Sequence, residues 1–192
     1  MKIHMTPKEV AQRLSGELKL EISEYGNKHW FLNGLLHRED GPAIELFDGT
    51  KYWYLKGKLH REDGPAVEYL DGRKEWYLNG LLHREDGPAV EWASGDKVWY
   101  LNGRLHREDG PAIDFCGSYK AWYSYDLDIL INSGDKVWCK NGKCHREGNP
   151  AIERANGDTV WCVNGILIKE EKSYWRWLWQ LLKKWHRGYQ VN

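Results

Sequence analysis

From Leu18 onward the chain alternates apolar and polar positions in short runs, the period of half-buried β-strands, and these runs recur on a fixed larger interval. The unit is clearest from Trp76, where Trp-Tyr-Leu-Asn-Gly-Leu-Leu-His-Arg-Glu-Asp-Gly-Pro-Ala-Val-Glu-Trp-Ala-Ser-Gly-Asp-Lys-Val leads into Trp99. Trp30, Trp53, Trp76, Trp99 and Trp122 stand 23 residues apart, and His37, His60, His83 and His106 keep the same interval. Self-similarity at this period marks an array in which each unit is one supersecondary element. The pattern predicts a strand around the Trp, a loop through His-Arg-Glu-Asp-Gly-Pro, a second strand starting at Ala and a tight turn centred on Gly, hence one hairpin per repeat. Asp48-Gly49, Asp71-Gly72, Ser94-Gly95, Ser133-Gly134 and Asn156-Gly157 supply turn residues that tolerate positive φ. A second set, Asn-Gly at 33–34, 79–80, 102–103, 141–142 and 164–165, closes the Trp strand with a bulge or bend. Pro42, Pro65, Pro88, Pro111 and Pro150 share one loop position and mark the sheet edge.

Residues two apart on a strand share a face. Trp76 with Leu78, and Val90 with Trp92, are therefore expected on a core face built of Trp, Leu, Ile or Val and the bulky column Leu46, Tyr69, Trp92 and Phe115. The opposite face is expected to be an amphipathic wall, with Tyr54, Tyr77, Tyr100 and Tyr123 beside Glu68 and Glu91. The Trp122 copy is shorter: only 16 residues separate it from Trp138, and the missing seven match the His-Arg-Glu-Asp-Gly-Pro-Ala segment. It reads as a repeat hairpin that survives without its long loop. The next copy restores the loop as His145-Arg146-Glu147-Gly148-Asn149-Pro150.

At the ends the period changes. Thr6-Pro7-Lys8-Glu9 carries a capping Thr, a Pro at the first helical position and a Glu three residues after the cap, which predicts an N-terminal capping helix within residues 1–19. The hairpin array occupies 20–168, and 169–192 reads as an amphipathic helix with Tyr174, Leu178, Leu181 and Trp185 on one side. Trp175, Trp179, Lys183, Lys184 and Trp185 are its candidate contacts, either with the open end of the sheet or with a membrane surface. The expected fold is mainly β: an elongated, twisted antiparallel sheet of consecutive hairpin repeats with a helical cap at each end.

Twelve Trp and eleven Tyr exclude a disordered chain, while a mean hydropathy of −0.74 implies strands exposed along much of their surface. Acidic and basic residues balance at 28 each, so no net field attracts polyanions, and specific nucleic acid is disfavoured as a partner. No apolar run approaches membrane-spanning length, and Met1–Val10 lacks the apolar core of a signal peptide; a cytoplasmic location is expected. Cys116, Cys139, Cys144 and Cys162 are expected to be reduced. A zinc site from Cys139, Cys144, His145 and Cys162 is open on spacing, but other repeats put Tyr and Leu in these slots, which favours packing; no metal or cofactor is expected.

The His-Arg-Glu-Asp quartet holds a general base, a cation and two carboxylates, which is the material of an active site. Four unchanged copies spread along one edge do not converge on a single pocket, so a structural cause is preferred. Asp is expected to accept backbone N–H groups, His to cap a strand end, and Arg to pair with a Glu of the next repeat. Catalysis is not expected. Arg61, Arg84 and Arg107, with the Tyr and Glu columns, are the candidate binding residues.

The Trp-x-x-Asn-Gly-x-x-His stretch, the Gly after it, the later Asp-Gly turn and the 23-residue period together resemble MORN repeats and the related repeats of the YwqK-type antitoxin family. The resemblance covers roughly residues 20–168, and the Leu-His-Arg-Glu-Asp-Gly-Pro-Ala variant looks like the divergent form met in phage and large-virus proteins. It implies a non-enzymatic scaffold or protein-binding surface, and in this form a phage or viral factor that modulates a host protein in the host cytoplasm. Peripheral membrane contact through the terminal helix and homodimerisation stay open. The chain departs from the usual repeat in that His is followed by Arg-Glu-Asp rather than directly by Gly, so its loop is longer.

Overall fold

The computed structural model describes residues 16–115, 121–124 (121–123 as backbone), 127 and 129–173. The chain divides into two compact units, Met1–His83 and Arg84–Asn192. Each is mainly β and wholly antiparallel. In the first, Lys19–Ile22 pairs with Lys28–Leu32, and the ladder continues through Ile44–Glu45, Lys51–Tyr52, Val67–Glu68 and Lys74–Glu75. In the second it runs from Val90–Glu91 through Lys97–Val98, Ile113–Asp114, Lys136–Val137, Ile152–Glu153 and Thr159–Val163 to Ile166–Glu171.

Each full repeat contains two hairpins rather than one, because the strand around the Trp is broken at the Trp itself. Trp53 donates its N–H to the carbonyl of Ala66 (2.8 Å), inside the ladder, while its own carbonyl accepts the N–H of His60 (3.0 Å). The next residues leave the ladder and form a separate hairpin, Tyr54–Leu55 with Lys58–Leu59. Tyr77–Leu78 with Leu81–Leu82, Tyr100–Leu101 with Arg104–Leu105, and Cys139–Lys140 with Lys143–Cys144 repeat the arrangement. The Asn-Gly pair is the turn of this second hairpin, not a bulge. Both central residues lie at positive φ, Asn79 at 55° and Gly80 at 86°, the conformation whose twist matches that of the flanking strands. The Asp-Gly turn of the ladder hairpin is a three-residue loop in which only the Gly is left-handed (Gly49, φ 92°), and Asp48 instead accepts the N–H of Thr50 at 2.8 Å.

The register exchanges two of the expected columns, turning Trp outward and Tyr inward, while Val and Ile stay on the core face and Glu opposite them. Val90 pairs with Val98, and Val98 is two residues before Tyr100, so the Val/Ile and Tyr columns share one side. Glu91 pairs with Lys97 and shares the other side with Trp99. The core is the first of these: Val67, Val90, Val98, Ile113, Val137 and Ile152 are buried, with Ala66, Ala89, Ala112 and Ala151 beside them. Tyr100 is only 8% exposed, Cys139 and Cys162 fill the same slot in later repeats, and Leu105 closes the core from the facing strand. Trp30, Trp53, Trp99 and Trp138 lie half-buried on the outer side.

The Trp122 segment is not a repeat of the ladder. Ile113–Asp114 pairs directly with Lys136–Val137, as its counterparts pair with the strand that follows the Gly turn. Ala121–Ser124 and Ile129–Asn132 form a hairpin of their own, inserted between Phe115 and Gly134, whose N–H still closes the turn on the Phe115 carbonyl at 2.6 Å. The fifth ladder repeat therefore begins at Trp138. The expected N-terminal helix falls on residues 1–15, outside the described residues, and Lys19 is already strand. At the other end Lys169–Glu171, expected to open a helix, completes the last strand, held by a register shift between Trp161 and Cys162. The remaining helix residues, with Trp175, Trp179, Lys183, Lys184 and Trp185, lie outside the described residues. No helix among the described residues is long and apolar enough to cross a membrane.

Candidate functional site: the loop edge

The Gly-Pro step forces the chain to turn back from the Asn-Gly hairpin to the ladder, and the loop between them is held by its own charged side chains. In four repeats the Arg lies over the Trp ring: Arg38 over Trp30 and Arg61 over Trp53, both at 4.2 Å, Arg107 over Trp99 at 4.0 Å, and Arg146 over Trp138 at 3.8 Å. From that position Arg61 donates Nε to Asp63 (2.8 Å) and Nη1 to both the Pro65 carbonyl and Glu68 (3.3 Å each). Arg84 repeats the set on Asp86, Pro88 and Glu91, and Arg107 repeats its first two contacts on Asp109 and Pro111. The guanidinium fork thus joins the loop tip, the loop exit and the ladder of one repeat. Arg pairs with the Glu of its own repeat, not of the next, because seven residues of loop bring that Glu back beneath it. Asp accepts chiefly from Arg, with its own backbone N–H a lesser contributor. This Arg holds the carboxyls of Asp40, Asp63, Asp86 and Asp109 below the ordinary carboxylate range, first by the hydrogen bond and then by its charge.

The His links successive repeats. Nδ1 of His37 accepts the backbone N–H of Lys56 (3.0 Å), and His60, His106 and His145 do the same for Asn79, Asn141 and Asn164. Each acceptor meets the left-handed residue of the following turn, where the backbone donor has no ladder partner. Nε2 faces the Glu two residues on, at 3.5 Å for His37 and Glu39 and 3.3 Å for His106 and Glu108. Each imidazole thus ties its own loop to the turn of the next repeat.

Between successive loops the edge opens into clefts floored by the Trp. One of about 430 Å³ lies between loops 38–41 and 60–63 over Trp53 and Leu55. A second, about 580 Å³, lies between 84–88 and 106–109 over Trp99 and Leu101. A third, about 450 Å³, lies between 107–110 and 145–147 over Trp138 and Lys140. Their rims are carboxylates standing in solvent, Glu39, Glu62, Asp63 and Asp86 each more than four-fifths exposed or nearly so.

The structure brings together part of the expected binding set. Arg61 and Arg84 join Glu68 and Glu91 at the loop edge, whereas Tyr54, Tyr77 and Tyr100 face the core. Burial raises the Tyr54 and Tyr77 hydroxyls above their ordinary range, Tyr77 further through the carboxylate of Glu75, whose Oε2 accepts its hydroxyl at 3.1 Å. Tyr123 belongs to the inserted hairpin and so has no place in this column. Cys139, Cys144 and Cys162 are free thiols, and Cys116 lies outside the described residues. Burial, then Cys162, raises the Cys144 thiol. Among the described residues no three His, Cys, Asp or Glu side chains are grouped to hold a metal ion.

One set of linking residues was missed. Asn27, Thr50, Asp135 and Asp158, each just after a turn Gly, accept the backbone N–H of Phe47 (2.7 Å), Leu70 (3.4 Å), Ala155 (2.8 Å) and Ser173 (2.6 Å) in the next turn. The signal was a column of short side chains bearing an oxygen at that position. Arg73 departs from it and pairs with the buried Glu75.

No family model matches the chain, and no curated protein is similar to it.

Proposed function

We propose that this chain is a non-enzymatic, MORN-like repeat scaffold that binds another protein along its loop edge. The observation that carries the reading is the recurrence of one cleft geometry, with a Trp floor and exposed carboxylate rims, in both units. Aromatic floors give rigid contact area, and a charged rim steers a partner of opposite sign. The catalytic-looking groups support the same reading, since each His and Arg is occupied in holding the loop that walls the cleft. The Tyr column turns toward the core, whereas Glu68 and Glu91 stand at this edge with Arg61 and Arg84.

The test is capture of partners from the native cell on immobilised full-length chain, with the variant Glu39→Lys/Glu85→Lys in parallel. Both positions are on loop tips, so the melting temperature should change by no more than a degree or two. A stoichiometric protein retained by the wild type and lost with the variant is expected. Equal retention by both, or recovery of no stoichiometric protein, would reject the loop edge as a binding surface.

A further inference from the structure

The three clefts differ at one floor position, and the difference indicates what they accept. Two residues after the Trp, the first two carry Leu55 and Leu101, and the third carries Lys140. The Lys140 ammonium reaches across its cleft to Glu108 of the preceding loop, Nζ to Oε2 at 3.2 Å, while its stem lies beside Trp138. The equivalent loop residues in the other two clefts are Glu39 and Glu85, with leucine where the lysine would be.

From this internal pair, and resting on the binding-edge reading, we infer that the Leu55 and Leu101 clefts each receive a lysine side chain from an extended basic segment of a partner protein. The apolar floor of Trp and Leu suits the methylene stem, and the loop carboxylates suit the ammonium. Arginine and anionic ligands are less well served, because Arg61 already stacks over the Trp53 ring, where a second guanidinium would lie, and its Nε and Nη1 are engaged with Asp63, Pro65 and Glu68. Within the second unit, the Leu101 and Lys140 clefts belong to repeats two ladder strands apart, roughly 9–10 Å. A polyproline II segment rises about 3.1 Å per residue with three residues per turn, so lysines three apart would meet the Leu101 cleft and, once Lys140 is replaced by Leu, the one beside it from one side.

The probe is a fluorescein-labelled Lys-Pro-Pro-Lys-Pro-Pro-Lys peptide titrated by anisotropy against the full chain, with a norleucine-for-lysine peptide as control. Wild type should bind the lysine peptide and not the control. Leu55→Lys/Leu101→Lys, which builds the internal pair into both clefts, should weaken binding about tenfold or more. Lys140→Leu, which empties the third cleft beside the second, should strengthen it by a similar factor. Each variant is to melt as the wild type does, since the backbone already carries either residue at this position. Norleucine binding as tight as lysine, no response to either floor substitution, or displacement of the peptide by equimolar spermidine would overturn the inference. If the lysine peptide fails to bind while Glu39→Lys/Glu85→Lys still abolishes partner capture, the lysine reading falls and the binding edge stands. If both fail, both are withdrawn.

Discussion

A His whose Nδ1 accepts a turn N–H, beside an Arg whose fork closes a loop, converts residues suited to catalysis into fasteners. The His37 imidazole is the most buried of these, 5% exposed, and its partner is the Lys56 amide. His37→Ala removes that acceptor and should cost about 1–3 kcal/mol, read as a lower urea midpoint with an unchanged slope, and His37→Asn should recover part of it. The loop aspartates make a pH prediction. Asp40, Asp63, Asp86 and Asp109 have folded pKa values below the ordinary carboxylate range because Arg stabilises the charged form. A depressed folded pKa contributes stability that is complete above the unfolded pKa and is lost as pH falls through the folded value. Denaturant unfolding between pH 5 and pH 2 should therefore show stability falling below about pH 4. The fall should be shallower in Asp63→Asn, most clearly at low salt.

At the scale of the element, the two-residue Asn-Gly turn decides how each repeat divides. Lys56 occupies the left-handed position that Asn holds in every other described copy, at φ 51°. A long side chain gains nothing there, whereas Asn tolerates the conformation through local hydrogen bonding. Lys56→Asn should stabilise the protein by about 0.5–1 kcal/mol, measured as a raised melting temperature. Alternation and turn residues made the hairpins, their antiparallel sense and the loop positions legible in the sequence. What periodicity could not supply was register: alternation within each run put Trp76 and Leu78 on the core face with Val90 and Trp92, and it cannot decide which runs share a face. Setting Val98 opposite Val90 exchanged the Tyr and Trp columns, turning Tyr inward and leaving Trp as the cleft floor. The structural role of the His-Arg-Glu-Asp loops was legible from their repetition. Their bonding was not, since Arg meeting Glu seven residues on requires knowing how the Gly-Pro step folds the loop back. Trp122 misled for a related reason: it keeps the 23-residue spacing while the ladder passes it by.

At the scale of the whole molecule, neighbouring repeats within a unit are tied by two devices besides the ladder: His to the next Asn-Gly turn, and the residue after the turn Gly to the next Gly turn. Both act only between adjacent copies, so the array should tolerate loss of one whole period but not of a fraction. Deleting residues 28–50 joins Asn27 to Lys51, the counterpart of Lys28. Asn27 then stands where Thr50 stood, and its Oδ1 can accept the Leu70 N–H that Thr50 accepted. The Lys19–Ile22 strand, now opposite Trp30, would find Trp53 in the same register. The shortened chain should fold cooperatively, with a β circular dichroism spectrum like the parent's and a denaturant slope reduced in proportion to the buried surface removed. Deleting 28–38 instead removes eleven residues, less than a period, and sets the loop residues Glu39 to Pro42 where Lys28 to Phe31 paired with the first strand. That variant should be insoluble or lack a cooperative transition. Equal behaviour of the two deletions would show that repeat register does not govern stability in this unit.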